Sequence, residues 1–412
     1  MKVFFLFISI LALILSVRYI FYFQGYTQIV SGSTFQKTTT LLENPSDSFG
    51  NQIFYVDSIR IEARPYPVLR YGDRISITGA VEKRYFTPKY SSRQISQLFV
   101  RHPNVEILEQ HNPLIKAASY IRKRVYDQFL STLPYNEAVL LFGIVFGGSE
   151  GFSSSMKDAF RNTGVLHVVA ASGMNVTMVG AFLLASFSRV LGRRLALTLS
   201  ILGIFYYALI SGFEPSIMRA SFMIAITFVA AILGRQNYGL LSLILVAVSM
   251  LFINPFILFD VGFLLSFTST LGILVVKPFF DQIQLFKQTK FISEDVGTSF
   301  SAQIGSLPVL IGTFSTYSII SLLVNALVLW TIPFLMILGG IASFSAIALP
   351  FVSFIPLYVS LPFLWIFEKI VFLFSDFPLL VLNEISPIFF LGYYLILFSI
   401  VLMIKKRKYH ES

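Results

Sequence analysis

Leu195–Ser211 reads LALTLSILGIFYYALIS, Pro215–Gly234 reads PSIMRASFMIAITFVAAILG, and Tyr238–Asn254 reads YGLLSLILVAVSMLFIN. From position 195 to 254 the charged residues are Glu214, Arg219 and Arg235 alone. Each run approaches the roughly 20 apolar residues that let a helix cross a hydrocarbon core about 30 Å thick. Similar runs lie at 164–188, 257–277, 296–313, 317–338, 341–373 and 386–404, and a first one runs from Val3 to Phe23. The pattern predicts a polytopic α-helical membrane protein of about ten spans. Composition agrees: the 412 residues are 55% hydrophobic and 13% charged, with mean hydropathy +0.75. A soluble domain carries about 25% charged residues, so an ordinary soluble enzyme is excluded.

Charge placement orients the chain. Residues 136–404 hold 11 basic and 11 acidic side chains, residues 24–135 hold 14 and 9, and the tail 405–412 holds 4 and 1. With Lys2 in the cytoplasm, alternation of the spans brings Arg189/Arg193/Arg194, Arg235, Lys277/Lys287/Lys290 and Lys405–Lys408 to the cytoplasmic side, as the positive-inside rule requires. Residues 24–135 then lie outside, and both termini lie in the cytoplasm. The organisation expected is an N-terminal helix at 1–23, an extracytoplasmic β domain at 24–111, an amphipathic helix at 112–132, a membrane domain at 133–404 and a basic tail at 405–412. The chain has no cysteine, which removes disulfides, thiol catalysis and Cys-ligated zinc. Its histidines, His102, His111, His167 and His410, show no metal-binding spacing, so neither metal nor cofactor is expected.

Between the first helix and position 110 the period changes to two. Ile53–Val56, Ile59–Ala63 and Arg74–Val81 alternate apolar and polar, with turn residues Arg70-Tyr71-Gly72-Asp73 before the last. Short strands over this length suggest a small OB-like β-barrel, with a β-sandwich as the alternative. Basic and aromatic residues interleave at Lys83, Arg84, Tyr85, Lys89 and Arg93. Such a run is either a solvated loop or an external site for a phosphate backbone and stacked bases. From Pro113 the spacing of Leu114, Ala118, Ile121, Val125 and Phe129 marks an amphipathic helix expected in the membrane interface, with Lys116, Arg122, Lys123 and Asp127 off the apolar line; Arg122-Lys123-Arg124 would meet lipid phosphate, the default, or a nucleic-acid backbone.

Ionisable groups inside membrane segments are costly and tend to be functional. Here they are Asp158, Arg161, His167, Glu214, Arg219, Asp260 and Glu368. The stretch from Arg161 to Val176 gathers polar and small residues at a helix start. On one helix Ser172 and Asn175 share a face, whereas His167 lies about 140° around the axis from Ser172, which argues against a His–Ser dyad within it. His167 either lines a path or holds helices together.

These residues carry a resemblance. His167–Val176, HVVAASGMNV, resembles the signature of the ComEC competence-protein family. Gly212–Ala220, GFEPSIMRA, resembles its G-x-x-P-S-x-x-R-A element, and Asn254-Pro255 followed by Asp260-Val261-Gly262-Phe263-Leu264-Leu265-Ser266-Phe267 resembles its N-P…D-x-G-F-x-L-S-F element. Two positions depart: Asn175 stands where many members have histidine, and Leu264 where many have glutamine. The resemblance implies a channel importing single-stranded DNA across the cytoplasmic membrane during natural transformation, without catalysis by this chain. It implies as DNA-path candidates Glu137, Arg161, His167, Ser172, Asn175, Glu214, Arg219 and Asp260. Partners implied are single-stranded DNA, membrane lipid, a DNA receptor, a cytoplasmic helicase or translocase, and a separate nuclease, since the metallo-β-lactamase-like domain often found in the family is not in this sequence. No Walker A pattern is present. The alternatives are a small-molecule secondary transporter and an intramembrane hydrolase built on Ser172.

Overall fold

The computed structural model describes residues 13–22, 24, 32–48, 50–57, 59–86, 95–149, 151–166, 173–280, 290–314, 316–381, 389–397 and 399. After an apolar helix α1 (Leu13–Tyr22) come seven strands: β1 (Thr34–Thr40), β2 (Ser46–Ser48), β3 (Asn51–Val56), β4 (Ile59–Ala63), β5 (Arg74–Phe86), β6 (Ile95–Arg101) and β7 (Asn104–Leu108). Their order is β1-β5-β6-β4-β3-β2, with β7 also on β5. The β4–β6 pair is parallel and the others are antiparallel.

The three alternating stretches of the sequence are β3, β4 and the first part of β5. Along β4, Ile59, Ile61 and Ala63 are buried while Arg60 and Glu62 turn outward. Ile61, Ile75, Ile77, Leu98 and Val100 close the core completely. One long strand serves both halves of the sheet: Arg74–Thr78 of β5 pairs on both sides, with β1 and β7, whereas Val81–Phe86 pairs with β6. The switch falls at Gly79, where an added Cβ would stand 2.5 Å from Val100 and 3.1 Å from Pro103.

Helices build the rest. They are α2 (Pro113–Thr132), α3 (Tyr135–Phe146), α4 (Ser154–Asn162), α5 (Gly173–Ser188), α6 (Arg193–Ile210), α7 (Pro215–Ile232), α8 (Gly239–Ile253), α9 (Val261–Phe280), α10 (Lys290–Phe314), α11 (Ser321–Val328), α12 (Thr331–Ala348) and α13 (Phe354–Phe374). Among the described residues, five helical segments are long and apolar enough to cross a membrane: Arg193–Ile210, Pro215–Ile232, Val261–Phe279, Thr331–Ala348 and Pro350–Phe374.

Three features differ from the sequence expectation. Tyr135–Phe146, not expected as a membrane element, is the central helix, buried at every residue from Ala138 to Phe146. At 12 residues and 1.5 Å of rise each it is too short to span a bilayer, and being apolar all round from Ala138 onward it packs inside the protein. Gly339-Gly340 does not separate two helices. The α12 helix runs through it, because a side chain at Gly339 would meet Val145 at 2.5 Å and Leu141 at 3.1 Å of α3. The break falls inside the long run 341–373, at Leu349–Ser353 around the 3-10 turn Pro350–Val352, where the first of its prolines interrupts the helix. Finally, α2 buries Ala118, Arg122, Val125 and Phe129, while Leu114 is exposed. Its N-cap is Asn112, whose side chain accepts from the Leu114 and Ile115 amides.

Small residues let α9 and α10 approach closely, as helices in lipid do. A side chain at Gly272 would strike the Ser301 carbonyl, and one at Gly305 the Thr268 carbonyl.

Candidate functional site

Three of the sequence elements singled out above meet at Arg219. This residue sits near the start of α7, whose N1 position is Pro215 and N-cap Glu214. Its Nε donates to Ser266 Oγ at 2.6 Å and a terminal nitrogen donates to Thr270 Oγ1. Ser266 and Thr270 are four apart on α9 and therefore share a face. On the third side lies the first turn of α5, where a Cβ on Gly173 would be 2.7 Å from Arg219 Nη2. Among the described residues Arg219 forms no ion pair. Two neutral hydroxyls hold its charge in a membrane helix.

Asn175, two residues beyond Gly173, is fully buried and donates to the Ile144 carbonyl at 2.7 Å. Tyr207 of α6 donates to the next carbonyl, Val145, at 2.6 Å. Both carbonyls lie in the last turn of α3, where the helix leaves acceptors without intrahelical partners. The chain turns away through Gly147 and Gly148 at φ 81° and 91°, a conformation glycine adopts without steric cost. Irregular backbone at membrane depth is tolerated where protein buries it, and Asn175 and Tyr207 supply the donors. Tyr207 was not read from the sequence; its signal is a tyrosine in an apolar run, whose hydroxyl needs a partner when buried.

The remaining path candidates are dispersed. Glu137 lies in the first turn of α3 beside Asn136, whose Nδ2 donates to Glu368 Oε1 at 3.0 Å. Arg161 is exposed on α4 and pairs with Asp158 at 3.5 Å. Asp260 accepts from the Phe263 amide at 2.7 Å, capping α9, and does not pair with Arg219. Leu264 packs against the cluster of Val246, Met250 and Phe263. His167, Ser172, Lys89 and Arg93 lie outside the described residues.

A second constellation covers the outer face of the β domain. Lys83, Arg84 and Tyr85 all lie on β5. The register sets Arg60 of β4 opposite Phe99 of β6, and Phe99 opposite Glu82 of β5. The Arg60 and Arg84 guanidinium carbons stand 5.4 and 5.8 Å from the Phe99 ring centre, within the reach of a cation–π contact. Glu62 binds Arg60 at 3.1 Å and Arg101 at 3.3 Å, and Glu82 approaches Arg84 at 3.6 Å. Tyr55, opposite Arg60 on β3, is exposed. Tyr55, Arg60, Phe99 and Arg101 escaped the sequence reading, although the outward half of each alternation contains them.

The two regions are joined through Arg122, expected at lipid phosphate but buried. Its Nη1 donates to the Ile210 carbonyl at 2.9 Å, and its guanidinium lies 5.4 Å from the Tyr71 ring and 5.1 Å from the Phe142 ring. Tyr71 donates to the Leu209 carbonyl at 2.5 Å. An arginine at the end of α6 also suits the negative pole of that helix. Burial pushes the Tyr71 hydroxyl up to about 12. Nearby, Gly212 sits where a side chain would reach the Leu42 carbonyl at 2.9 Å, and Phe256 packs against the β-domain core.

Comparison with known proteins follows the same lines. The model of the Competence protein family matches residues 144–407. "ComE operon protein 3" of Bacillus subtilis (strain 168) is 26% identical over 223 residues, 54% of this chain and 28% of that protein. An uncharacterized protein of Aquifex aeolicus (strain VF5) is 31% identical over 247 residues, 59% of this chain and 55% of that protein. The matched segments thus span less than two thirds of either relative. No solved structure matches. The family match takes in α5 to α13, with Gly173, Asn175, Arg219 and Ser266 inside it, and the chain belongs to the Competence protein family.

Proposed function

We propose that the protein forms the path by which single-stranded DNA crosses the cytoplasmic membrane during natural transformation. The observation that carries this reading is Arg219, a cation inside a membrane helix with hydroxyl partners and no ion pair among the described residues. Such a charge is costly in lipid, and a passing phosphate offsets that cost without a fixed carboxylate competing for the site. A conducted polyanion must also be able to leave, which the equal charge counts of residues 136–404 favour. Asn175 and Tyr207 shape the path by fixing the end of α3, with His167 and Ser172 contributing from the segment just before α5.

The β domain, read as OB-like and extracytoplasmic, gathers the strand by salt-sensitive contacts on the face around Arg60, Arg84 and Phe99. About ten spans place both termini in the cytoplasm. The chain binds and conducts DNA without catalysing a reaction. A DNA receptor delivers the strand, a cytoplasmic helicase or translocase pulls it, and a separate nuclease removes the complement.

The test is uptake of labelled DNA into the cytoplasm of a deletion strain carrying the full chain, with surface binding measured separately. Arg219→Leu at normal protein level is expected to abolish uptake while surface binding persists, and Arg219→Lys to retain part of it. Normal uptake by Arg219→Leu overturns the reading.

A further inference from the structure

At the far end of the β domain's outer face, the segment after β4 and the turn after β6 enclose a cavity of about 260 Å³. This lies just under the roughly 300–1,000 Å³ of sites for drug-sized ligands, so the cavity has room for one flat ring with its substituents. Tyr66, Pro67 and Pro103 supply planar apolar walls, and Arg64, His102 and Asn104 supply polar groups; no carboxylate lines it. The Tyr66 ring is exposed rather than packed in the core.

The cavity is built before any ligand arrives. Gln52 Nε2 donates to the Arg64 and Pro67 carbonyls, both at 2.8 Å, and its Oε1 accepts from the Leu69 amide at 2.7 Å. One side chain thus fixes the whole wall. On the opposite side His102 adopts φ 44°, rare for a residue with a Cβ, and its amide donates to the Glu62 carbonyl at 2.8 Å. Preorganisation of this kind lowers the ordering cost of binding.

The parallel pairing of β4 with β6 brings the two segments that line the cavity out at the same end of the sheet, next to the basic face. Arg60 lies opposite Phe99 and Glu62 opposite Arg101, so the next positions along both strands lead directly to Arg64 and His102.

We propose that this cavity takes one nucleotide of the bound strand, its base stacked on Tyr66 between the proline walls and its phosphate held by Arg64 and His102. The proposal rests on the reading of the β domain as a DNA-gathering module and adds a defined single-nucleotide subsite to it. The test uses the full chain in lipid nanodiscs and two fluorescent strands of equal length, an oligothymidylate and its abasic counterpart. Tyr66→Ala is expected to weaken oligothymidylate binding at least about fivefold and to leave the abasic strand unchanged, with Tyr66→Phe restoring affinity. Arg64→Ala is expected to weaken both strands and to lower the salt slope by about one. Equal losses on both strands with Tyr66→Ala, or no loss on either, overturn the subsite while salt-sensitive binding by the unaltered chain leaves the wider reading standing. Absence of salt-sensitive binding by the unaltered chain overturns both.

Discussion

The β domain and the membrane domain treat arginine in opposite ways. On the β sheet, Arg60 and Arg84 lean on an aromatic ring and each has a carboxylate at hand, Glu62 or Glu82. Inside, Arg219 has two hydroxyls from one neighbouring helix and no ion pair among the described residues. In water a surface pair is worth little, and a competing phosphate displaces it readily. In a low-dielectric interior the same pair is held far more strongly, and a carboxylate beside Arg219 would neutralise the group that, in the proposed function, meets a polyanion. Arg122, at the joint, shows a third solution: a backbone carbonyl and two rings hold a buried guanidinium permanently in place.

The strongest way to break the contrast is to give Arg219 what Arg60 has. Thr270→Asp puts a carboxylate where a hydroxyl now accepts from Arg219. Uptake of labelled DNA is expected to fall nearly as far as with Arg219→Leu, with the protein present at normal level. Undiminished uptake would show that a paired arginine serves equally well.

The joint comes next. Arg122→Met removes a charge-assisted hydrogen bond and two ring contacts, and is expected to cost about 2–4 kcal/mol, read as a lowered melting temperature of the detergent-solubilised protein. Alkali probes the same joint through Tyr71. Burial raises its pKa in the folded protein above the ordinary tyrosine value of 10.0, to about 12. The neutral hydroxyl's stabilisation is therefore complete below pH 10 and is lost as the pH rises from 10 through 12. Tyr71→Phe removes this part of the alkaline loss; an unaltered profile in that variant counts against the joint.

Asn175→Leu leaves the Ile144 carbonyl without its side-chain donor, and about 1–3 kcal/mol is expected to be lost. Asn175→His, which retains a donor, keeps more of the stability in the same melting experiment. The smallest effect belongs outside. Arg60→Ala with Arg84→Ala is expected to lower the slope of DNA affinity against salt by about two, a modest loss at physiological salt, measured by anisotropy on the full chain. A loss of uptake as complete as at Arg219 would erase the distinction between the two regions.

How much of this was legible in the sequence depends on the range of the interaction. Periodicity found β3, β4 and β5, because in-out alternation is a property of neighbouring residues. It could not join Arg60, Phe99 and Arg84, which meet only through the pairings of β6 with β4 and β5. The α2 stripe was found, yet Arg122 was sent to lipid: its partners Tyr71, Phe142 and Ile210 lie on three other segments, and apolarity alone does not anticipate a buried guanidinium. The α3 helix was missed for its length, since a run too short to span is not counted as a membrane element although protein buries it. Gly339-Gly340 falls between the expected runs 317–338 and 341–373, yet one helix passes through it, because its bare surface admits Val145 and Leu141. The sequence marks Arg219 as a costly charge in an apolar run, but not the hydroxyls of Ser266 and Thr270 that receive it.

Phe256 has a consequence for the order of events at the ribosome. The β domain is synthesised first, yet a residue from the turn between α8 and α9 packs against its core. Until that turn has emerged, after α5 to α8, the β sheet waits with part of its apolar surface uncovered. Completion of the β domain's core thereby depends on helices that follow it in the chain. A chain stalled before position 256 would carry a sticky, half-closed β domain that quality-control proteases can recognise.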